Sequence, residues 1–339
     1  LASIIIIYVQ MRISSLKKAK ITLAQKVKER TSEIEAQKQE IQEKNEELNQ
    51  RTEEIAAQRD ELNEQNIKIE KLFEEQTESI KYAKHIQEAV LSSKEPLNKQ
   101  FKDYFIFFNP HSIVSGDFYY VAEVREWVII AAVDSTGHGV PGGFMSMLGM
   151  SFLNEIVYPM EEIQSDVILN KLRKYIIRSL KQEGNPGEHK EGMEMSLTAI
   201  NTKTCECQFT GAQNPILLVR SNNNPTLKYE IVHKNDDKTM YLIPPDNMPI
   251  SIFPKMDAFT KQQFKLYEGD KIYYFTDGYI DQFGGKNGKK LSKKTFFELI
   301  FKTSDLSIPQ QKNELETFYD QWKGTYEKID DILIIGIEV

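Results

Sequence analysis

Acidic side chains stand at the ends of four apolar segments, and their type and placement suit metal chemistry. Asp117 precedes the run 118–121, Asp134 follows 128–133, Asp277 follows 272–276, and Asp330 with Asp331 precedes 332–335. A carboxylate gains nothing from burial at such a place unless it is paired or binds a cation. An all-oxygen set without matching His or Cys residues suits hard cations, so these residues indicate Mg²⁺ or Mn²⁺ rather than zinc.

Each aspartate taken alone has an ordinary alternative, because single aspartates commonly cap strands or form turns. Glycines at 116, 137 and 278 flank three of the acidic positions and would let the backbone approach an ion. Ser135 offers a carbonyl oxygen directly after Asp134. The four positions together therefore predict one shared metal site.

The segments that must position these residues show strand-like and helix-like patterns. Predicted strands cover 104–109, 118–124, 127–133, 196–201, 208–211, 216–220, 229–233, 263–266, 271–276 and 332–339, and predicted helices cover 143–157, 165–182, 293–302 and 309–322. The strands cluster and are joined largely by hairpins, whereas the helices come in blocks. This arrangement favours the α+β class over a doubly wound parallel sheet.

Residues 21–90 contain no proline and no glycine, and their pattern predicts one long helix. Apolar residues recur every seven positions, at Val27, Ile34, Ile41, Leu48, Ile55, Leu62 and Ile69. The second core position of each heptad is polar, with Thr31, Lys38, Asn45, Thr52, Arg59 and Asn66. This repeat predicts a left-handed coiled coil of marginal stability, and the alternative is a solvated single helix.

The beginning of the chain has the pattern of a membrane-helix end. Residues 1–9 form an apolar run too short to cross a bilayer, and Tyr8 and the lysines at 17, 18 and 20 follow in the order of interfacial and cytoplasmic residues. We therefore expect residues 1–12 to end a transmembrane helix, 13–95 to form the coiled-coil helix and linker, and 96–339 to form a domain in the cytoplasm. The alternative for 1–9 is a buried terminal helix turn.

Composition and minor motifs exclude several other functions. A net charge of -7 and a pI near 5.5 provide no basic field for nucleic acid. Cys205 and Cys207 are expected on one face of a strand as reduced thiols, because a zinc site would need two further ligands. The run 284–290 lacks the spacing of a nucleotide-binding loop and is expected to be a mobile basic turn that could touch an acidic or phosphorylated substrate.

Several motifs together resemble one family. They are Ser115-Gly116-Asp117-Phe118, Val133 to Gly139, Gly211 to Pro215, Gly269-Asp270, Thr276-Asp277-Gly278 and Asp330-Asp331-Ile332. Their order and spacing over about residues 96–339 resemble the SpoIIE-like phosphatases of the PPM superfamily, and residues 281–290 and 322–324 are similar to Bacteroidetes members of that group. The sequence departs from the family at Gln213, where histidine is common, and at Ser251, where glycine is common.

The resemblance implies a PPM-type α-β-β-α sandwich, two antiparallel sheets flanked by helices, with two Mn²⁺ or Mg²⁺ ions. It implies that Asp134 bridges both ions and that the Ser135 carbonyl binds one. Asp277 and Asp330 would complete the coordination of the other ion. Asp117 would bind a metal directly or support a metal ligand. Asp331 is a weaker candidate for a metal ligand than its neighbour Asp330. His138 would either protonate the leaving alkoxide or order its own loop.

The function implied by the resemblance is hydrolysis of phosphoserine or phosphothreonine on a partner protein of the anti-anti-sigma type. Two divalent ions would activate a water molecule, so no serine or cysteine nucleophile is required. We expect a parallel homodimer through residues 21–90, attachment to the inner membrane through the N-terminal helix, and no nucleic-acid partner. The alternative function is a non-catalytic module that binds a partner and relays a signal.

Overall fold

A computed structural model of the chain describes residues 2–185 and 190–339, which divide into two units, one ending at Gln76 and one spanning Thr77–Val339. The helices are α1 (Ala2–Val90), α2 (Glu95–Gln100), α3 (Gly139–Val157), α4 (Ser165–Ser179), α5 (Gly278–Asp281), α6 (Lys293–Thr303) and α7 (Ile308–Lys323). The strands are β1 (Asp103–Asn109), β2 (Phe118–Val124), β3 (Trp127–Ser135), β4 (Met193–Asn201), β5 (Glu206–Ala212), β6 (Ile216–Ser221), β7 (Glu230–Lys234), β8 (Lys238–Ile243), β9 (Gln262–Lys265), β10 (Lys271–Phe275), β11 (Phe283–Gly284), β12 (Lys289–Lys290) and β13 (Ile332–Glu338).

The predicted long helix is confirmed as α1, which runs without interruption for 89 residues. The apolar heptad residues are exposed along it, from Val27 at 57% to Ile69 at 61%. Among the described residues of α1, Gln87 is the one buried side chain. The helices that the structure describes include none with an apolar stretch long enough to cross a membrane.

The second unit contains two large antiparallel sheets and the two-stranded β11–β12 hairpin. One has five strands in the order β2-β3-β4-β5-β9, and the other has six in the order β1-β13-β10-β6-β8-β7. The central strands are apolar on both faces, as strands buried on both sides must be. In β3, for example, Ile129 faces one cluster of buried side chains while Val128 and Ile130 face another.

Three layers of buried side chains hold the sheets and helices together. The inner faces of the two sheets pack on each other, with residues such as Ile130 and Tyr274 in one cluster. Helices α3 and α4 cover the outer face of the five-stranded sheet. Helices α5, α6 and α7 cover the outer face of the six-stranded sheet. This confirms the predicted α+β class and the α-β-β-α sandwich preceded by a long helix.

Several predicted elements have different bounds in the structure, and four were missed, among them the short helix α5. Strand β4 begins at Met193, three residues before the predicted start, and strand β8, helix α2 and the β11–β12 hairpin were not predicted. Cys205 lies in the turn before β5 with φ of 57°, so the two cysteines do not share a strand face as expected. Both are free thiols.

A buried ion pair fixes the edge of the fold where β6, β9 and β10 meet. Arg220 and Asp270 are 2% and 0% exposed, and the Arg220 guanidinium donates to both Asp270 oxygens at 2.5–3.1 Å. Arg220 also donates to the carbonyl oxygens of Pro225 and Lys265, and Asp270 accepts from the N–H of Tyr267. Each charge therefore depends on the other to offset its loss of water.

Replacing Asp270 by asparagine should destabilise the protein strongly, because it leaves the Arg220 charge buried without its partner. We expect the free energy of unfolding to fall by roughly 3–5 kcal/mol, measured by urea denaturation of the full chain. Asp257→Asn removes a carboxylate from the exposed pair Lys255–Asp257 and is the matched control. Equal losses of unfolding free energy in the two variants would show that the buried pair contributes no more to stability than the exposed pair.

Candidate metal centre

The strand ends of both sheets bring the predicted acidic residues to one cleft. Asp117 precedes β2 and Asp134 lies in β3, both in the five-stranded sheet. Asp277 follows β10 and Asp330 precedes β13, which are neighbours in the six-stranded sheet. The cleft has a volume of about 490 Å³, and Asp134, Ser135, His138, Asp277 and Asp330 are among its lining residues.

Asp331 holds the loop before β2 against the start of β13. Its carboxylate is buried and accepts hydrogen bonds from the N–H groups of His111 at 2.6 Å and Gly116 at 2.7 Å. Both oxygens are therefore engaged in charge-assisted bonds to the backbone. This arrangement fits a positioning role for Asp331 better than direct metal binding, which agrees with its lower rank among the sequence candidates.

Asp117 is fixed by a side chain from the other sheet. Its Oδ2 accepts a hydrogen bond from the hydroxyl of Thr276 at 2.6 Å, and that hydroxyl also accepts from the N–H of Leu333 at 3.0 Å. Burial raises the pKa of Asp117 well above its usual value, and the nearby carboxylates raise it further, although the Thr276 bond opposes this. The sheets are thus joined through a carboxyl group that resists ionisation.

Asp134 and Asp277 face each other across the cleft. Burial raises the pKa of Asp134 well above its usual value, and the neighbouring carboxylates add to this. The pKa of Asp277 is raised by burial and by Asp330, and a hydrogen bond with Asp134 opposes this shift. Two carboxyl groups this close repel each other when both are ionised, and a divalent cation between them would offset that repulsion.

Asp330 lies beside two histidines. Its Oδ1 accepts from the N–H of Asp331 at 2.8 Å, and burial raises its pKa while His138 and His111 oppose the rise. The His111 and His138 rings are 4.6 Å apart between centroids. His138 is exposed and is the residue before α3, where its side chain makes no capping hydrogen bond. The His111 Nδ1 lies 3.0 Å from the Ser112 hydroxyl, whereas His138 lines the cleft, so His138 is the imidazole available at the acidic end.

Glycines allow the backbone segments of the site to approach closely. A Cβ at Gly116 would collide with the carbonyl of Gly137 and lie 3.2 Å from that of Ser135. A Cβ at Gly278 would collide with the carbonyl of Asp331. Side chains at these positions would thus push apart the segments that carry the acidic residues.

The sequence analysis missed two residues of the site, His111 and Glu194. His111 precedes the Ser-Gly-Asp motif, and its position gave no separate signal. Glu194 is paired with Asp134 in the β3–β4 register and lines the cleft. Burial and Asp277 raise its pKa, while Lys293 opposes the rise. It was missed because the predicted strand began at 196, beyond Glu194.

The residues of the cleft fit a hard divalent cation by donor type and by burial. They offer carboxylate and carbonyl oxygens, and the pKa values of Asp117 and Asp134 are raised by burial and further by the neighbouring carboxylates. Within the described parts of the chain, however, no three His, Cys, Asp or Glu side chains are already arranged as a ligand set. Their oxygens are instead bonded to one another, to Thr276 or to backbone N–H groups.

Solved structures with a similar fold include phosphatase domains. The SiaA-PP2C domain of Pseudomonas aeruginosa has a TM-score of 0.66 and 21% identity, with 78% of this chain and 98% of that chain covered. The PP2C phosphatase domain with a regulatory fragment of SpoIIE from Bacillus subtilis has a TM-score of 0.53 and 15% identity, covering 70% of this chain and 63% of that chain. The RsbU and RsbW domains of a Mycobacterium tuberculosis protein have a TM-score of 0.51 and 18% identity, covering 70% and 59%.

Comparison with a family model supports the same relationship, although no curated protein sequence matches the chain. Residues 125–339, well over half of the chain, match the family described as Stage II sporulation protein E (SpoIIE). This match includes Asp134, Asp277 and Asp330, which the fold brings to one cleft. The chain therefore belongs to the SpoIIE family of PPM-type protein serine/threonine phosphatases.

Proposed function

We propose that the chain hydrolyses phosphoserine or phosphothreonine on a partner protein, using two Mn²⁺ or Mg²⁺ ions held in the acidic cleft. The observation that carries this proposal is the convergence of Asp117, Asp134, Asp277 and Asp330 from four strand ends of two sheets. Buried like charges destabilise a fold, so a cluster of this kind is expected where a cation is to be bound. The partner we propose is a small domain of the anti-anti-sigma type, as the family resemblance implies.

The chain's own residues divide into ligands and supports. Asp134, Asp277, Asp330 and the Ser135 carbonyl would hold the ions, and Asp117 would do so directly or through a ligand that it supports. Asp331 would keep Gly116 and Asp117 in place through its bonds to the backbone. Two divalent ions supply a water molecule of lowered pKa and neutralise the charge of the phosphoryl oxygens.

The leaving oxygen of serine or threonine needs a proton when the phosphate ester bond breaks. His138 lies at the cleft with His111 beside it, so His138 is our candidate for delivering that proton. Its other role, ordering the loop between β3 and α3, is compatible with the same position. A conservative His138→Gln change would separate these roles, because glutamine can order a loop but cannot act as a general acid.

We propose that α1 is a parallel coiled-coil dimer. Its seam of apolar residues at heptad spacing is exposed in the single chain, and such a seam is normally buried by a second helix. The hydroxyls of Thr31 and Thr52 donate to the carbonyls of Val27 and Leu48 in the same helix. These two positions therefore satisfy their polar groups without a partner. Lys38, Asn45, Arg59 and Asn66 remain as the residues that weaken the seam.

The last turns of α1 contact the segment that carries Asp117. The Gln87 side chain donates to the Ser115 carbonyl and to the Ser146 hydroxyl, both at 2.7 Å, and accepts from the Ser115 N–H at 3.2 Å. Gly116 is the next residue and donates to Asp331. We propose that a change in the helix pairing acts on the site through this contact. Ile86 and Val90 remain 41% and 38% exposed, whereas Gln87 is buried, so Gln87 is the residue of these turns through which we propose the change acts.

The division of the chain into 1–12, 13–95 and 96–339 also remains our proposal, with the first segment ending a transmembrane helix. It is supported by the apolar run 1–9 and the lysines that follow it. Anchoring of both chains in one membrane would favour the parallel orientation of the dimer.

Asp134→Asn should remove nearly all hydrolysis of a generic aryl phosphate, because it deletes the carboxylate expected to contact both ions. Asp277→Asn should act similarly. Turnover with Mn²⁺ and a calorimetric Mn²⁺ titration measure the loss of activity and of affinity. The control is Asp236→Asn, which changes an exposed aspartate away from the cleft. Wild-type turnover in the Asp134 variant would contradict the two-ion proposal.

Metal binding should also change how stability depends on pH. The folded-state pKa values of Asp117 and Asp134 are raised, so these groups hold protons in the folded chain that they lose in the unfolded chain. Their contribution to stability therefore falls as the pH rises from about 4, the ordinary pKa of aspartate, through the raised values. We expect chelated protein to show this fall in its unfolding temperature.

Mn²⁺ should reverse this fall, since it stabilises the ionised carboxylates. Scanning calorimetry of the wild type with chelator and with Mn²⁺ across that pH range measures both effects. The Asp134→Asn variant is the control and should show a smaller fall and a smaller Mn²⁺ effect. An unfolding temperature that does not respond to Mn²⁺ at any pH would contradict metal binding without reference to activity.

Strengthening the helix seam should shift turnover through Gln87. Leucine at positions 38, 45, 59 and 66 should give a stable dimer by light scattering and a turnover per chain different from that of the wild type. Adding Gln87→Ala should remove this difference, because the helix then lacks its bonds to Ser115. Gln39→Ala with Glu53→Ala, on the opposite face of the helix, is the control. If the variant with the four leucine substitutions stayed monomeric, the proposed dimer would be refuted.

A further inference from the structure

Five lysines crowd one short segment after α5. Residues 286–294 contain Lys286, Lys289, Lys290, Lys293 and Lys294, all exposed. Lys290 pairs with Asp281 at 2.5 Å. The other four form no ion pair with any residue in 2–185 or 190–339. This set, which we call the lysine rim, is a concentrated positive patch on a chain whose net charge is -7.

The β11–β12 hairpin presents the rim on a well-defined backbone. The Trp322 indole N–H donates to the Gln282 carbonyl at 3.0 Å, and the Gly285 N–H donates to the Trp322 carbonyl at 2.8 Å. Gly285 and Gly288 adopt φ of 64° and 57°, and a Cβ at Gly288 would lie 2.5 Å from the Tyr326 hydroxyl. Lys286, Lys289 and Lys290 therefore lie on a hairpin whose shape is set by packing, and Lys293 and Lys294 lie in the first turn of α6. A defined backbone lowers the entropy lost on binding.

The lysine rim lies beside the acidic cleft. Its Lys290 pairs with Asp281, the last residue of α5, and α5 begins directly after Asp277. Burial raises the pKa of Asp277 and of Glu194, both of which line the cleft, and the charges of Lys290 and Lys293 respectively oppose part of that rise. A substrate entering the cleft therefore meets positive charge next to the negative metal-binding end.

We propose that the lysine rim binds an acidic segment next to the phosphorylated residue of the protein substrate. This inference rests on the proposed function, because it assigns the phosphate to the cleft and the flanking carboxylates to the lysines. A cleft beside the rim suits a peptide segment, which can enter it, better than a flat lipid surface. Charge complementarity of this kind speeds encounter and selects partners, and it weakens as ionic strength rises.

The test compares short phosphoserine peptides with acidic flanks and with the matching neutral flanks, using the full chain and Mn²⁺. We expect kcat/KM at low ionic strength to favour the acidic peptide by roughly tenfold, mainly through KM. Lys286→Gln with Lys289→Gln and Lys294→Gln should bring this ratio close to one, and raised ionic strength should do the same to the wild type. Glutamate at these positions should reverse the preference.

The control removes the same charge from exposed lysines elsewhere, with Lys171→Gln, Lys174→Gln and Lys203→Gln, and should keep the wild-type ratio. Turnover of both peptides at equal kcat/KM would overturn the proposed role of the lysine rim in substrate binding and leave the proposed function standing. Turnover of neither peptide would count against the proposed function. In that case, calorimetric titration of the two peptides into the Asp134→Asn variant tests the lysine rim independently of turnover. Equal affinities for the two peptides would overturn the proposed role of the rim.

A lipid surface is the competing occupant. Sedimentation with vesicles of phosphatidylserine and phosphatidylcholine measures it directly. Vesicle binding that depends on the rim lysines, together with equal kcat/KM for the two peptides, would overturn the proposal in favour of a membrane surface.

Discussion

The bonds from the Asp331 carboxylate to the N–H groups of His111 and Gly116 are the contact on which the rest of the site depends. They join the first turn before β13 to the loop before β2, so residues of the six-stranded sheet and of the five-stranded sheet meet at one end. The Asp331 backbone also lies against Gly278, directly after Asp277. One residue thus sets the spacing of Asp117 and Asp277, whose sequence positions differ by 160.

This arrangement has an energetic cost that the rest of the fold must offset. Four carboxyl groups lie close together with raised pKa values, and each would be more stable in water. The apolar layers on both faces of the sheets, and polar ties such as Thr276 to Asp117, hold them in place. Destabilised polar groups of this kind occur where binding or catalysis needs them. The stability of the sandwich is therefore what makes the cleft possible.

The sequence predicted most of the elements and of the acidic set, because apolar runs and the aspartates at their ends are local patterns. It did not predict Glu194, because the predicted strand began only at 196, or His111, whose role depends on the distant Asp331. The shared-face prediction for Cys205 failed because that residue adopts a left-handed turn conformation. Long-range partners such as Arg220 with Asp270 are likewise set by the meeting of strands, which a single sequence does not display.

The contact between α1 and the site is polar, and this affects how it could transmit a change. An apolar side chain packs in several orientations at similar free energy, so a rotated helix could keep most of its contact. Gln87 instead makes three hydrogen bonds with fixed directions to Ser115 and Ser146, and a small rotation of the helix would break them. Buried polar groups without partners are costly, so the intermediate positions are disfavoured. Under the proposed control of the site by α1, a glutamine at this position would favour two distinct arrangements of the contact, bonded and unbonded, over a continuous range.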